Sequence, residues 1–166
     1  MSLASVRAFL AEHAPDIEIV QTTTSTATVA LAAAAHGVTP GEIAKTLSLR
    51  VNGEPILLMM SGEARLDNRK YKDRFGAKAK MLDAEEVLAA TSHPVGGVCP
   101  IGLPGPLKVY ADRSLARFPV VVPAAGDTHH ALRIATERLV RLVDAEWIDV
   151  AQDAAAPETA GSASPE

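Results

Sequence analysis

An Asn52-Gly53 dipeptide stands between two β-prone apolar runs, Thr46 to Val51 and Pro55 to Ser61, and this arrangement restricts the fold more than any other feature of the chain. Asn-Gly readily takes the two positive φ angles of a tight hairpin turn. The middle of the chain is therefore expected to hold an antiparallel pair rather than a strand, helix, strand crossover. No region shows the regular alternation of a doubly wound sheet, and no internal repeat is present.

The flanking segments carry helix punctuation. Ser2 to Ala14 sets Leu3, Val6, Phe9 and Leu10 at helical spacing and stops before Pro15. Ile17 to Gln21 alternates apolar and polar residues and reads as a strand. A Ser/Thr-rich run, Thr22 to Thr28, feeds an alanine-rich helix that stops at Gly37. Thr39-Pro40-Gly41-Glu42 is a capping-box pattern with proline at the first helical position, a short turn that leads through Lys45 into the hairpin. Asp67 to Phe75 reads as a helix closed by Gly76, and Asp83 with Glu86 opens another that runs to about Thr91. Leu107 to Ala111, Pro119 to Pro123 and Ala131 to Ala135 read as strands, and Thr136 to Asp144 as a closing helix. The stretch His93 to Pro106 is too rich in glycine and proline for helix or strand and predicts a tight, shaped loop. The order predicts a single α/β domain of mixed α+β type over residues 1–150, a curved mixed β-sheet or partly closed barrel flanked by helices.

A length of 166 residues with 48% hydrophobic and 22% charged residues suits one core. The longest apolar runs, around Ala30 to Ala35 and Ile56 to Met60, fall far short of the roughly 18 to 20 residues that cross a bilayer. The N-terminus has no basic region followed by a long apolar stretch, so no secretory signal is read there. The expected location is the cytoplasm, with no membrane partner. The last segment, from Ala151 to Glu166, has three acids, no bases and no large apolar residue, and is expected to be a disordered acidic tail.

The net charge of −4 argues against indiscriminate coating of nucleic acid. Between Arg65 and Lys80, however, seven basic residues face two acids, so this stretch is +5 and the remainder −9. It reads either as a solvated helix face or as a landing strip for phosphates. In the second reading Arg69, Lys70, Arg74 and Lys78 contact RNA, while Tyr71 and Phe75, four apart, anchor the helix to the core.

The chain lacks a phosphate-binding GxxxxGK[ST], a GxGxxG after a strand and a GxSxG elbow. Its five histidines, His13, His36, His93, His129 and His130, show no HExxH spacing, so no metal and no cofactor are expected. The single cysteine, Cys99, excludes an internal disulfide and a thiolate zinc cage. A nucleophilic Cys99 would need a histidine such as His93, His129 or His130 beside it. The stronger reading is a small hydrophobe packed next to Pro100.

Ile43-Ala44-Lys45-Thr46-Leu47, the Ser61 to Asp67 run, Gly76-Ala77-Lys78, Val95 to Gly102, Asp112 and Gly126 occur in an order and spacing that resembles the YbaK/EbsC-type aminoacyl-tRNA deacylases. These are freestanding relatives of the editing domain inserted in bacterial prolyl-tRNA synthetases. The resemblance covers about Ser25 to Val150 and implies hydrolysis of the ester joining a small wrong amino acid (Ala, Cys, Ser or Thr) to tRNA-Pro or a similar tRNA. It implies aminoacyl-tRNA as partner, with a synthetase in a transient complex. It places Lys45 and the GxxxP loop, Gly96, Gly97 and Pro100, at the catalytic centre. Val98, Cys99, Asp112, Gly126, His129 and His130 fall at substrate-binding positions. A lysine ammonium suits a phosphate or the terminal ribose, which makes its role positioning, and glycines let the loop backbone approach a ligand. No carboxylate or histidine is compelled to be the general base. The competing reading is a catalytically silent module that holds tRNA ends, nucleotides or small ligands in the same pocket.

Overall fold

A computed structural model describes residues 2–153. In chain order the elements are α1 (Ser2–His13), β1 (Ile19–Gln21), α2 (Val29–His36), β2 (Ile43–Val51), β3 (Glu54–Ser61), α3 (Asn68–Phe75), α4 (Ala84–Thr91), β4 (Lys108–Asp112), β5 (Val120–Pro123), β6 (His130–Leu132), β7 (Ile134–Ala135), α5 (Thr136–Leu142) and β8 (Glu146–Ile148), with short 3-10 turns at Pro40–Glu42 and Arg113–Arg117.

The hairpin forms where the Asn-Gly signal places it. Asn52 takes φ 51° and Gly53 φ 82°, and β2 and β3 stay in antiparallel register from Val51 opposite Glu54 to Ala44 opposite Ser61. This pair is the centre of a six-stranded mixed sheet ordered β7-β5-β2-β3-β4-β8, and β1 with β6 makes a separate antiparallel pair. β4 runs parallel to β3, β8 parallel to β4, and β5 parallel to β2. The sheet curls into a half-barrel with helices around it, as the sequence predicts.

Because β3 is central, both of its faces are covered and its last six residues are all buried. Leu57 and Met59 join the main core with Val6 and Leu10 of α1, Val109 and Ala111 of β4, and Leu139 and Val140 of α5. Ile56, Leu58 and Met60 face the other way, into a second core with Leu49 and with Tyr71 of α3. The helix punctuation holds in detail. Thr28 caps α2 through Leu31 N, Gly37 ends it at φ 65°, Asp67 caps α3 with Gly76 at φ 78°, and Asp83 and Glu86 form the reciprocal box of α4.

Several features differ from expectation. The run Ala131 to Ala135 splits at Arg133, because β6 pairs with β1 whereas β7 pairs with β5. β8 and the 3-10 turn at Arg113–Arg117 carry no clear local signal, and α5 ends at Leu142, before Asp144 at φ 53°. Folded structure also continues past Val150. Ala151 is buried and bridges to Leu66, Gln152 N donates to Arg65 O at 2.8 Å, and Asp153 pairs with Lys70 at 2.8 Å. Backbone pairing and a salt bridge hold these three residues, although they bring no large apolar side chain. The rest of the expected tail, 154–166, lies outside the described residues. Among the described residues no helix is long and apolar enough to cross a membrane.

Candidate active site

β2 shares one edge with β3 along its whole length. On its other edge it pairs with β5 only at Ile43 and Ala44, and next meets the chain at the Leu49–Met81 bridge. A cavity of about 250 Å³ opens in that gap, lined by Lys45, Thr46 and Ser48 of β2. Small residues make the space: Ala32 of α2, Ala44, Ala124 and Ala131 are all in the wall. Met81, Leu82, Val87 of α4 and Val95, Gly96 and Val98 of the glycine-rich loop complete it. Lys45 is the sole titratable side chain among these lining residues, and no carboxylate or imidazole is present.

Lys45 is half-buried. Its ammonium donates to Gly62 O at 3.4 Å and to Ala64 O, neither of which lines the cavity. Burial, and then the positive charge of Arg65, hold it below the ordinary lysine range. An ammonium has three hydrogens, so one donor remains for a ligand.

The GxxxP loop is braced against the turn after β5. A Cβ on Gly97 would come within 2.5 Å of Asp127 Cα, and one on Gly96, at φ 92°, within 3.0 Å of Ala27 Cβ. Gly126 N donates to Gly97 O at 3.0 Å, and Thr26 N and Oγ1 both donate to Thr128 O. Three segments, 26–28, 96–98 and 126–128, are thus laced together beside the cavity, and the glycines are there because the backbones touch. Pro100 is buried at the loop exit.

The remaining expected site residues divide. Val98 lines the cavity; Cys99, Asp112, Gly126, His129 and His130 do not. Cys99 is fully buried and its thiol is pushed up to about 12 by burial. His93 Nε2 is 3.8 Å from the Cys99 sulfur but donates to Ile101 O at 2.8 Å. That nitrogen therefore keeps its proton and cannot serve as a base toward the thiol. Asp112, also fully buried, accepts from Ser114 N at 2.8 Å and Val150 N at 2.7 Å, which fastens the 3-10 turn and the chain after β8.

His129 and His130 are instead gathered by Asp127, which the sequence reading did not single out. Its carboxylate accepts from His129 N at 2.8 Å and from His130 Nδ1 at 2.8 and 2.9 Å. Burial pushes the Asp127 carboxyl up, but the bonds from His129 and His130 together hold it below its usual value. The signal that could have found it is the short acidic residue two positions before an amide in a Gly-rich turn, the pattern of an Asx turn.

Within the basic stretch, Lys70 is bound to Asp149 at 3.2 Å, Asp153 at 2.8 Å and Ala151 O at 2.9 Å. Arg74 pairs with Glu146 at 2.7 Å and lies over the rings of Phe75 and Tyr110. Arg69 and Lys78 have no ion pair among the described residues.

A small, largely apolar cavity with one lysine and a rigid glycine loop can hold a small uncharged group and aim backbone amides or carbonyls at it. It offers no side-chain carboxylate for a cationic ligand.

The sequence profile of the aminoacyl-tRNA editing domain matches residues 23–142. The uncharacterised protein YwhH of Bacillus subtilis is 41% identical over 155 residues, covering 92% of this chain and 99% of its own. A proline–tRNA ligase of a Geobacter species is 36% identical over 100 residues, 58% of this chain but 18% of the ligase. A crystal structure solved as that of a candidate trans-editing enzyme for prolyl tRNA synthetase superposes with a TM-score of 0.83 at 30% identity, covering 90% of this chain and 96% of that one.

Proposed function

Because this chain belongs to the aminoacyl-tRNA editing domain family, we propose that it acts in trans as a deacylase, hydrolysing the ester between a small wrong amino acid and the terminal ribose of a tRNA. Water adds to the ester carbonyl, the bond to the ribose oxygen breaks, and the products are the free amino acid and a tRNA with its hydroxyl restored. The observation that carries the reading is the cavity itself. At about 250 Å³ it lies just under the roughly 300 to 1,000 Å³ typical of sites for drug-sized ligands. It suits the aminoacyl end of a tRNA rather than a whole nucleotide.

An aminoacyl ester is activated, so positioning and electrostatics can supply most of the rate without a side-chain base. Lys45 spends two hydrogens on Gly62 O and Ala64 O and directs the third at the terminal ribose or its phosphate. The Gly96–Gly97 backbone, fixed by Asp127 and Gly126, faces the developing oxyanion or holds the attacking water, and Pro100 stiffens the loop. tRNA-Pro is the first substrate to try, by analogy with the proline-specific relatives, and a synthetase is the natural transient partner. Arg69 and Lys78, without an ion pair among the described residues, are free to meet acceptor-stem phosphates. Lys70 and Arg74 are occupied by acids of the chain.

The test is release of amino acid from tRNA-Pro and other tRNAs charged with alanine, cysteine, serine or threonine. Turnover above the spontaneous rate on at least one supports the reading. Tight binding of the charged tRNA ends with no hydrolysis of any would identify a silent binding module on the same fold.

A further inference from the structure

Thr46 and Ser48 stand apart from the rest of the cavity wall. Two residues apart on β2, they project to the same side of the strand, and both line the cavity. Ser48 is 4% exposed. Thr46 Oγ1 is shielded from solvent and has no hydrogen-bond partner, whereas the Ser48 hydroxyl, also without a partner among the described residues, stays reachable by solvent. The other two threonine hydroxyls of the wall are engaged: Thr26 Oγ1 donates to Thr128 O at 2.8 Å, and Thr28 Oγ1 accepts from Leu31 N at 3.2 Å. Buried polar groups in folded proteins are nearly always paired, and a bare one carries a desolvation cost, which Thr46 Oγ1 already bears and Ser48 Oγ would bear once a ligand covered it. Two unpartnered hydroxyls on one face, in a wall whose other side chains are apolar apart from Lys45, Thr26 and Thr28, mark a place where a ligand completes the pairing.

We propose that Ser48, with Thr46 beside it, determines specificity by hydrogen-bonding the side-chain hydroxyl of the bound amino acid, so that the site selects a β-hydroxy amino acid over one ending in a methyl group. The inference rests on the deacylase reading above. A hydroxyl suits this wall better than a charge does, since the lining has no carboxylate for a cation and its one ammonium is already bound to two carbonyls. It also gives a purely apolar side chain a penalty, because Ser48 and Thr46 then stay unpaired in the complex.

The experiment measures kcat/KM on one tRNA charged in turn with serine, threonine and alanine, for the wild type, Ser48→Ala, Thr46→Val and Thr46→Ser, with melting temperatures to verify folding. The wild type is expected to prefer the seryl and threonyl forms. Ser48→Ala should shrink the seryl-to-alanyl ratio by about tenfold, the loss of one hydrogen bond. Thr46→Val should move the ratio the same way and Thr46→Ser should restore it, which keeps the test intact if Ser48→Ala folds poorly. An equal loss on all three substrates would overturn the proposal, because the hydroxyls would then serve the ribose, which every substrate shares. An unchanged ratio, or a wild-type preference for alanine, would overturn it too. In each of these cases the deacylase reading survives, as it does if the wild type acts on the cysteinyl form alone, which overturns this inference; absence of turnover on all three and on the cysteinyl form counts against that reading and removes this inference with it.

Discussion

The two faces of β2 use one strand for opposite ends. On one face Leu47, Leu49 and Val51 pack into the core beneath α3, with Leu49 and Tyr71 almost fully buried. On the other, Ala44, Thr46 and Ser48 border open space. Both faces obey the same alternation. What differs is the size of the side chains brought against them: Tyr71 and Phe75 fill one side, whereas Ala32, Ala124 and Ala131 leave the other unfilled. Since protein interiors pack to near-crystalline density, a persistent opening needs small residues at several elements at once and a backbone scaffold that cannot collapse. The laced segments 26–28, 96–98 and 126–128 provide that scaffold.

The comparison breaks most visibly at Gly97. Gly97→Ala puts a methyl group against the Asp127 backbone and pushes the loop off its brace. Activity should fall by at least about a hundredfold, as misplacement by an ångström can do, in a protein that still shows a cooperative melt. Leu49→Ala, on the filled face, should lower stability by about 2 to 5 kcal/mol in denaturant titration, with turnover per folded molecule preserved. If the two variants had interchangeable effects, the distinction between the faces would be lost.

Lys45→Ala comes next. It should lower deacylation by at least about tenfold, equivalent to ~1.4 kcal/mol of lost positioning, with the fold retained. A folded variant with wild-type turnover would remove Lys45 from the site. Charge reversal then separates free from occupied cations on the basic stretch. Arg69→Glu with Lys78→Glu should raise KM for charged tRNA and flatten the salt dependence of binding, as loss of phosphate contacts does. Lys70→Glu should instead lower the melting temperature, because it repels Asp149 and Asp153. The smallest effect is expected at Cys99. With its thiol pushed up to about 12 by burial, it stays protonated at pH 8, so native protein should resist alkylation by iodoacetamide and Cys99→Ser should keep most of its activity.

Local chemistry was readable from the sequence. The Asn52-Gly53 turn, the Thr28 and Asp83 caps and the Gly37 and Gly76 stops each depend on residues within one turn of one another, as do the glycines that mark the loop. Long-range pairing was not readable. β8 is three residues long and exists because it adds in parallel to β4. The partners of Lys70 and Arg74 lie more than seventy residues away along the chain, so a +5 segment reads as free charge until its acids are seen. The cavity face of β2 was hidden for a related reason: Thr46 and Ser48 look like ordinary strand residues, and only the gap beside them makes them part of a cavity wall. His129 and His130 attracted notice as imidazoles, yet the group that organises them is the shorter Asp127.

The central claim is that the aminoacyl end of tRNA enters between β2 and the glycine loop. Amide chemical-shift mapping with a non-hydrolysable amide analogue of seryl-adenosine tests it without relying on turnover. The expected perturbations concentrate at Lys45 to Ser48 and at Gly96 to Val98, with α3 and β8 silent. Perturbations confined to the surface around Lys70, Arg113 and Asp149, with the amides of β2 and the loop unmoved, would contradict the account.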